Sequence, residues 1–230
     1  PQLRPISSFD MEIWGVVVAG GTGTRFGGPK QLATLAGRRI VDRSIDALRG
    51  RVDGLVVVGS PDLGSTESLS VDAMVGGGPS RSASVRNGLG ALPDSATHVL
   101  IHDAARPLVT DEVVGRVVDA LAGGSLAVVP VVPVTDTLRS VGGGTVDRSG
   151  LVAVQTPQGF DLAALQAAHD LEIEGTDDAS VVEAVGVAVD HVPGSAINLK
   201  VTFPHDLALA EVLLGLPANE REIADETVSR

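Results

Sequence analysis

The feature that most constrains the fold is an alternation of short apolar runs with stretches of helical spacing. Nearly continuous runs rich in Val and Ile are typical of strands covered on both faces. They predict strands at residues 13–18, 55–58, 71–75, 98–102 and 126–132. Apolar residues three and four apart predict helices between them, at 40–48, 81–92 and 110–121. The alternation predicts an α/β fold with a doubly wound, mostly parallel sheet flanked by helices.

Beyond the last of these strands the pattern changes. Residues 133–151 hold two polar, β-prone stretches around three glycines, which predicts a β-hairpin that protrudes from the sheet as an arm. Further helices are predicted at 162–169, from Asp177 or Asp178 onward, and at 206–214, with strands at 187–192 and 198–202. We expect a single domain over residues 12–216 that carries the arm, followed by a disordered polar tail over 217–230.

Charge and composition exclude several classes of protein. The net charge is −12, and no basic face for a nucleic-acid partner is evident. No apolar run of 18 residues predicts a membrane span, and residues 1–12 lack the pattern of a signal peptide, so a cytoplasmic location is expected. Cysteine is absent, which excludes disulfides and a cysteine nucleophile. Lys30 and Lys200 are the only lysines among 17 basic residues, and both lie in motifs.

A glycine-rich loop follows the first predicted strand, and residues 19–31 read AGGTGTRFGGPKQ. Backbone amides of such a loop can approach phosphates closely. The loop is not a Walker A motif, because Gln31 stands where Ser or Thr would hold Mg²⁺. It is not a dinucleotide fingerprint either, because the third glycine is replaced by Phe26. A plain flexible turn does not explain why the loop also carries two cations, Arg25 and Lys30.

The motifs of this chain resemble those of a known family. The opening, Gly-x-Gly-x-Arg followed by Pro-Lys-Gln, is similar to that of pyrophosphorylase-type nucleotidyltransferases. There follow, in order, GGPSRSASV at 77–85, HDAARP at 102–107, TVDR at 145–148, TPQ at 156–158, TDDAS at 176–180 and NLKVT at 198–202. Together they resemble the 2-C-methyl-D-erythritol 4-phosphate cytidylyltransferase family over residues 13–214. The chain departs from that pattern at Ala19-Gly20-Gly21, where two alanines are usual, and at Gly76 and Pro79, where acidic residues are common.

The resemblance implies transfer of CMP from CTP to the phosphate of 2-C-methyl-D-erythritol 4-phosphate, with release of pyrophosphate, in the non-mevalonate route to isoprenoids. A phosphate monoester, with a second pKa of about 6, is already largely dianionic near pH 7 and needs no general base. The implied catalytic residues are Arg25, Lys30, Arg148 and Lys200. The implied nucleotide site comprises Ala19, Gly20, Gly21, Gly23, Thr24, Gly77, Gly78, Arg81, Ser84, Asp103 and Ala104.

The resemblance also implies an acceptor site and a partner. The acceptor residues would be Asp103, Arg106, Thr137, Arg148, Thr176, Asp177, Lys200 and Thr202. Because a triphosphate near an acidic protein needs a divalent ion, we expect Mg²⁺ or Mn²⁺, with Asp103 as the best-placed protein oxygen. The arm would complete the acceptor site of a second copy in a homodimer, and would place Arg148 there.

Several residues have a structural alternative that the sequence leaves open. Arg81 could instead cap its helix or position its loop, and Asp103 could be a turn residue. Residues 176–178 are adequate as a helix N-cap alone. For Asp206 we favour a cap of the last helix over a second metal contact, and for His102 a structural role over that of a base.

Other functions also remain open. Another polyol-phosphate cytidylyltransferase, such as the ribitol phosphate type, would share most of these motifs. A non-catalytic nucleotide-binding module would keep the base loop but need not keep both lysines. A glycosyltransferase is disfavoured because the chain has no Asp-x-Asp motif.

Overall fold

The computed structural model describes residues 11–217. The strands are β1 Ile13–Val18, β2 Thr34–Leu35, β3 Arg38–Arg39, β4 Gly54–Val58, β5 Ala73–Val75, β6 His98–Asp103, β7 Ala127–Pro133, β8 Leu138–Arg139, β9 Thr145–Val146, β10 Val152–Val154, β11 Gln158–Asp161 and β12 Asp190–Pro193. The helices are α1 Ile40–Arg49, α2 Thr66–Leu69, α3 Arg81–Leu89, α4 Asp111–Ala122, α5 Leu162–His169, α6 Asp178–Glu183 and α7 Pro204–Gly215. Residues 218–230 of the predicted tail lie outside the described residues.

The central sheet has the strand order β10-β7-β11-β6-β1-β4-β5, and β12 pairs with β7. β1 runs parallel to both β4 and β6, and β4 to β5. The predicted α/β fold with a mostly parallel sheet is therefore confirmed. β11 was not predicted: it runs antiparallel between β6 and β7. Its sequence, QGFD, lacks the apolar run of the other strands, and it is held in the sheet by its neighbours.

One strand prediction is wrong. Residues 198–202 form no ladder with the sheet. The backbone of this segment bonds to loops instead, and the amide of Val201 donates to the carbonyl of Ala105 at 2.8 Å. Lys200 is therefore carried by an extended crossing segment and not by a strand end. The other boundaries differ by up to three residues, the largest shifts being a helix that ends at Leu89 and a strand that begins at Asp190.

Helices cover both faces of the sheet, which explains why its strands are apolar throughout. On one face, Val17 of β1 packs in a core layer with Ile45 of α1 and Val117 of α4. On the other face, Val16 of β1 packs in a layer with Val85 of α3, as well as with apolar residues of α5 and α6. Successive residues of β1 thus face opposite core layers.

A smaller apolar cluster lies beside the main sheet. Leu35 of β2, Val201 and Ala210 of α7 belong to it, and Phe26 packs against it. This cluster joins α7 to the end of the glycine-rich loop. It thereby fixes the segment that carries Lys200 next to the loop that carries Lys30.

The arm extends from the sheet as the sequence predicted. Leu138 pairs with Val146 in a two-stranded ladder of β8 and β9, and the tip turns through Gly143 and Gly144, with φ values of 110° and 84°. Nearly all arm residues are exposed, and Val141 is fully so. Among the helices of residues 11–217, none combines the length and apolar character needed to cross a membrane.

Candidate active site

A cleft of about 390 Å³ opens where β1 and β6 end. Ligands of open α/β sheets bind at these carboxyl ends. Four parts of the chain line it: the loop after β1 with Lys30 and Gln31, residues 78–81 with Ser84, residues 103–105, and Lys200. The cleft therefore brings together residues from both ends of the chain.

The glycine-rich loop contributes residues 20–22 to the lining of the cleft. Within residues 11–217, the backbone N–H groups of residues 20–25 donate to no other group of the chain. The carbonyl of Gly23 instead accepts from the amides of Phe26, Gly27 and Gly28, at 2.8 to 3.2 Å. Gly23 has φ of +65°, and a Cβ there would lie 1.8 Å from the carbonyl oxygen of Gly28, so glycine is required. Consecutive free amides of this kind are suited to bind an anion.

A second glycine loop forms the opposite wall. A Cβ at Gly20 would lie 3.4 Å from the Cα of Gly77, so the two loops meet backbone to backbone. Ser84 braces this wall: its hydroxyl accepts from the amide of Gly78 at 3.0 Å and donates to the carbonyl of Ser80 at 2.9 Å. The two loops therefore contact each other with no side chain between Gly20 and Gly77.

Asp103, the last residue of β6, carries the carboxylate of the cleft. Its Oδ2 is 2.6 Å from Nζ of Lys200, and its Oδ1 is 3.6 Å from Nε of Arg81. Burial raises the pKa of this carboxyl, but the charges of Lys200 and Arg81 outweigh burial and hold the pKa well below its ordinary value. Asp103 is therefore ionised throughout the physiological range.

Lys30 lies in the same cleft as Lys200. Its Nζ donates to the carbonyl of Val201 at 2.8 Å. Burial lowers the pKa of the Lys30 ammonium, and the charge of Lys200 lowers it further, while Asp103 opposes this shift. A polyanionic ligand would favour the charged form of Lys30.

His102 supports Asp103 from behind and is fully buried. Its Nε2 lies 3.2 Å from the carbonyl of Arg106, which can only accept, so Nε2 carries the proton. Its Nδ1 lies 3.0 Å from the hydroxyl of Thr156, and that hydroxyl accepts from the amide of Asp103 at 3.0 Å. Burial lowers the pKa of His102 to about 4. His102 is thus neutral and structural. Thr156, whose part in this support we did not predict, lies in the Thr-Pro-Gln motif.

Arg106 lies outside the cleft lining, although we predicted it to bind the acceptor. It braces the segment that holds Lys200, donating to the carbonyls of Asn198 at 2.7 Å and Val154 at 3.3 Å. Buried Gln155 accepts from the side-chain amide of Asn198 at 3.2 Å and donates to the carbonyl of Ser195 at 2.8 Å. We did not predict these roles of Gln155 and Asn198. Neither residue lines the cleft, and both act by supporting the segment that carries Lys200.

Several predicted residues do not line the cleft in the single chain, among them Gly23, Thr24 and Gly77 of the predicted nucleotide site. Arg25 is exposed, and its guanidinium carbon is 5.9 Å from the ring centre of Phe203. Arg148 lies on the arm, where its Nη1 donates to the carbonyl of Val134 at 2.8 Å and contacts that of Thr135. Thr137 also lies on the arm. The fold of one chain does not join these side chains to Lys200.

The remaining acceptor candidates have local roles. Asp177 is the N-cap of α6: its Oδ1 accepts from the amide of Ser180 at 3.0 Å. Thr176 precedes it and is exposed, and the hydroxyl of Thr202 donates to the carbonyl of Lys200 at 3.1 Å. Asp206 is not the N-cap itself but lies within the first turn of α7, where its carboxylate accepts from the amides of Thr202 and Phe203.

Comparisons with known proteins agree on one family. The family model for 2-C-methyl-D-erythritol 4-phosphate cytidylyltransferase matches residues 13–216. The enzyme of that name from Frankia casuarinae is 44% identical over 91% of this chain and 85% of its own length. The bifunctional enzyme IspD/IspF of Solidesulfovibrio magneticus is 45% identical over 87% of this chain, which spans 57% of that longer protein. The crystal structure of the cytidylyltransferase from Thermus thermophilus superposes with a TM-score of 0.78, at 37% identity, covering 90% of this chain and all of that one.

Proposed function

This chain belongs to the 2-C-methyl-D-erythritol 4-phosphate cytidylyltransferase family, and from that premise we infer that it transfers CMP from CTP to the phosphate of 2-C-methyl-D-erythritol 4-phosphate. The products are 4-diphosphocytidyl-2-C-methyl-D-erythritol and pyrophosphate. The reaction supplies isoprenoid precursors, and we propose that it takes place in the cytoplasm.

One observation in the cleft carries this proposal. Among the described residues, the backbone amides of residues 20–25 donate to no group of the chain, and residues 20–22 line the cleft on the loop that leads to Lys30. Lys200 enters the same cleft from a distant segment. An acidic protein thus concentrates both of its lysines where two phosphorylated substrates must meet. Because the attacking phosphate is already anionic, the protein has to neutralise charge and align the groups, and needs no base.

Lys30 and the loop amides would hold the triphosphate and stabilise the charge that grows on the departing pyrophosphate. Arg25 would have to leave Phe203 to join them. The two glycine loops offer backbone groups to a nucleobase in the cleft, and a carbonyl in such a wall can accept from the amino group of cytosine but finds no such donor on uracil. Lys200 would bind the acceptor phosphate and align it for attack on the α-phosphorus.

We propose that a divalent ion, Mg²⁺ or Mn²⁺, accompanies CTP. Residues 11–217 contain no cluster of three side chains that could hold a metal alone. An ionised Asp103 fits an ion that is held mainly by phosphate oxygens, as Mg²⁺ commonly is, with one or two carboxylates. Such an ion supplies further neutralisation of the triphosphate charge.

A dimer would complete the acceptor site. The arm is exposed along its length and presents apolar side chains, among them Val141, Val146 and Leu151, to solvent. Exposed apolar groups of this kind are often found at interaction surfaces. We propose that two chains associate through their arms, and that Arg148 and Thr137 of each arm reach the acceptor phosphate bound by Lys200 of the other chain.

The test is a pyrophosphate-release assay that crosses four nucleoside triphosphates with two acceptors, 2-C-methyl-D-erythritol 4-phosphate and ribitol 5-phosphate. CTP with the methylerythritol phosphate should be strongly preferred. Preference for ribitol phosphate would identify the rival cytidylyltransferase, and CTP binding without turnover would identify a nucleotide-binding module. Comparable specificity constants for CTP and UTP would refute the proposal that the walls of the cleft select cytosine over uracil.

The metal proposal has its own test. Excess chelator should abolish turnover, and Mg²⁺ or Mn²⁺ should restore it, because the triphosphate carries more charge than two lysines neutralise. Full turnover in chelator would contradict the proposal. Ca²⁺ at the same ionic strength serves as a control for general charge screening.

A further inference from the structure

A row of ionisable side chains in contact with one another runs from the cleft into the protein interior. Lys200 pairs with Asp103, and Asp103 faces Arg81 at 3.6 Å. Nη1 of Arg81 lies 2.7 Å from Oδ2 of Asp178, and Oδ1 of Asp178 lies 3.1 Å from Nε2 of His169. The cleft end of this row belongs to the proposed catalytic machinery. The interior end, Asp178 with His169, has no role in it so far.

Asp178 cannot contact a substrate. Its side chain is fully buried, and that of His169 is 2% exposed. The position of Asp178 is fixed from the sheet, because Oε1 of Gln158 in β11 accepts from the amides of Asp178 and Ala179 at 3.2 Å. Among the described residues, Arg81 is the one contact of Asp178 that lines the cleft, so any effect of Asp178 on the reaction should pass through it.

Arg81 lies between two carboxylates that compete for it. It is 2.7 Å from Asp178 but 3.6 Å from Asp103, so the buried carboxylate has the closer contact. The contact with Asp178 is an ion pair by distance, because neither Nη1 nor Nη2 of Arg81, nor Oδ2 of Asp178, makes a hydrogen bond of good geometry among the described residues. If Asp178 were uncharged, Arg81 could close on Asp103 as a two-pronged pair, the favoured geometry of guanidinium and carboxylate. Asp103 would then be drawn from Lys200.

We propose that Asp178 is a positioning residue for the transfer reaction. It holds Arg81 back, so that Asp103 stays with Lys200 and remains open to the nucleotide or its metal ion. His169 steadies the second oxygen of Asp178. The proposal rests on the function inferred above. The alternative is that Asp178 contributes only to folding, as an acidic residue in the first turn of α6.

A double-mutant cycle separates these two roles. Asp178→Asn should lower kcat/KM for CTP about ten- to a hundredfold, the range typical of residues that hold a ligand-binding group in place. Arg81→Lys keeps the charge but loses the fork that reaches two carboxylates. If Asp178 acts through Arg81, the double variant should be no worse than Arg81→Lys alone. Losses that multiply, or an Asp178→Asn enzyme with wild-type kcat/KM, would overturn the proposal.

Controls keep the result independent of folding and of the proposed reaction. Glu183→Gln removes an exposed carboxylate from the same helix and should retain wild-type kinetics and melting. If Asp178→Asn does not fold, the cycle is run with His169→Gln, which leaves the pair of Arg81 and Asp178 in place. Non-additive losses of kcat/KM in His169→Gln and Arg81→Lys would support the proposal, and additive losses would overturn it. If the wild-type chain releases no pyrophosphate, the proposed function is refuted, and the positioning role is tested by calorimetry of CTP binding instead. A weaker CTP affinity of Asp178→Asn would support the positioning role, and an affinity equal to that of the wild type would overturn it.

Discussion

The glycine-rich loop at 19–31 and the arm at 133–151 both turn on glycines with positive φ, but different contacts hold them. Lys30 in the loop is bonded to Val201, 171 positions away, and Gly20 meets Gly77 of another loop. The arm is held by contacts among its own residues, such as the bond from the amide of Ser140 to the carbonyl of Gly144 at 3.1 Å.

This difference separates two ways of building a site. Distant parts of one chain organise the cleft before any ligand arrives, and such preorganisation favours catalysis. In the single chain the arm has a defined shape, but none of residues 133–151 lines the cleft. Each prediction below tests whether the cleft is complete in one chain and whether the arm depends on a second one.

The largest effect is expected at Lys30. Lys30→Met keeps the half-buried stem but removes the charge, and turnover should fall about 10²- to 10³-fold, as for other lost donors to a transition state. The melting temperature should fall by only a few degrees, because the variant loses one hydrogen bond, from Nζ to the carbonyl of Val201, which is worth about 1 kcal/mol. Arg38→Ala is the matched control, because it also removes a cation, at an exposed position of β3, and it should leave turnover unchanged. More than about a third of wild-type turnover in Lys30→Met would show that the assignment is wrong.

The next effect concerns the buried support of the cleft. His102 has a pKa of about 4 in the folded chain and about 6.5 when unfolded. The unfolded state therefore binds more protons between these values, and stability should fall as the pH drops from 6.5 to 4, by about 3 kcal/mol in total. Above pH 6.5 this residue contributes no pH dependence.

Denaturant unfolding measured at several pH values checks this expectation. His102→Gln, which can still donate to the carbonyl of Arg106, should flatten the decline by about the same amount. An identical pH profile in the variant would mean that other groups account for the acid sensitivity.

The third prediction tests the arm. Arg148→Ala and Lys200→Ala homodimers should each be poorly active, because each lacks one cation for the acceptor phosphate. Mixed dimers would contain one site with both groups intact, and should recover up to half of the wild-type activity per dimer. If subunit exchange is demonstrated and activity does not return, Arg148 does not act across the interface.

The smallest effect is expected at the tip of the arm. Gly144 has φ of +84° and no atom within 4 Å of the place where a Cβ would lie, whereas a Cβ at Gly23 would meet a carbonyl oxygen at 1.8 Å. Gly144→Ala should cost about 1 kcal/mol of local strain and leave turnover within twofold. Gly23→Ala must displace the loop and should reduce turnover at least tenfold. Steady-state assays compare the two variants. Equal losses of turnover would contradict the distinction between a cleft organised within one chain and an arm that is not.

The sequence by itself determined the alternating α/β pattern, the arm and the segments that build the cleft. These follow from local signals: continuous Val-rich runs, helical spacing and a glycine-rich tip. It also indicated both lysines, because their rarity made their placement informative.

Tertiary structure alone decided how these parts meet. β11 is a strand because β6 and β7 flank it, and residues 198–202 are not one because they cross to loops. Asp178 gave no signal beyond its motif and a helix cap, and His169 gave none. Arg106, which the resemblance assigned to the acceptor site, supports the segment of Asn198 in the single chain. Pairings of this kind depend on burial and on charges from distant segments, which no local pattern records.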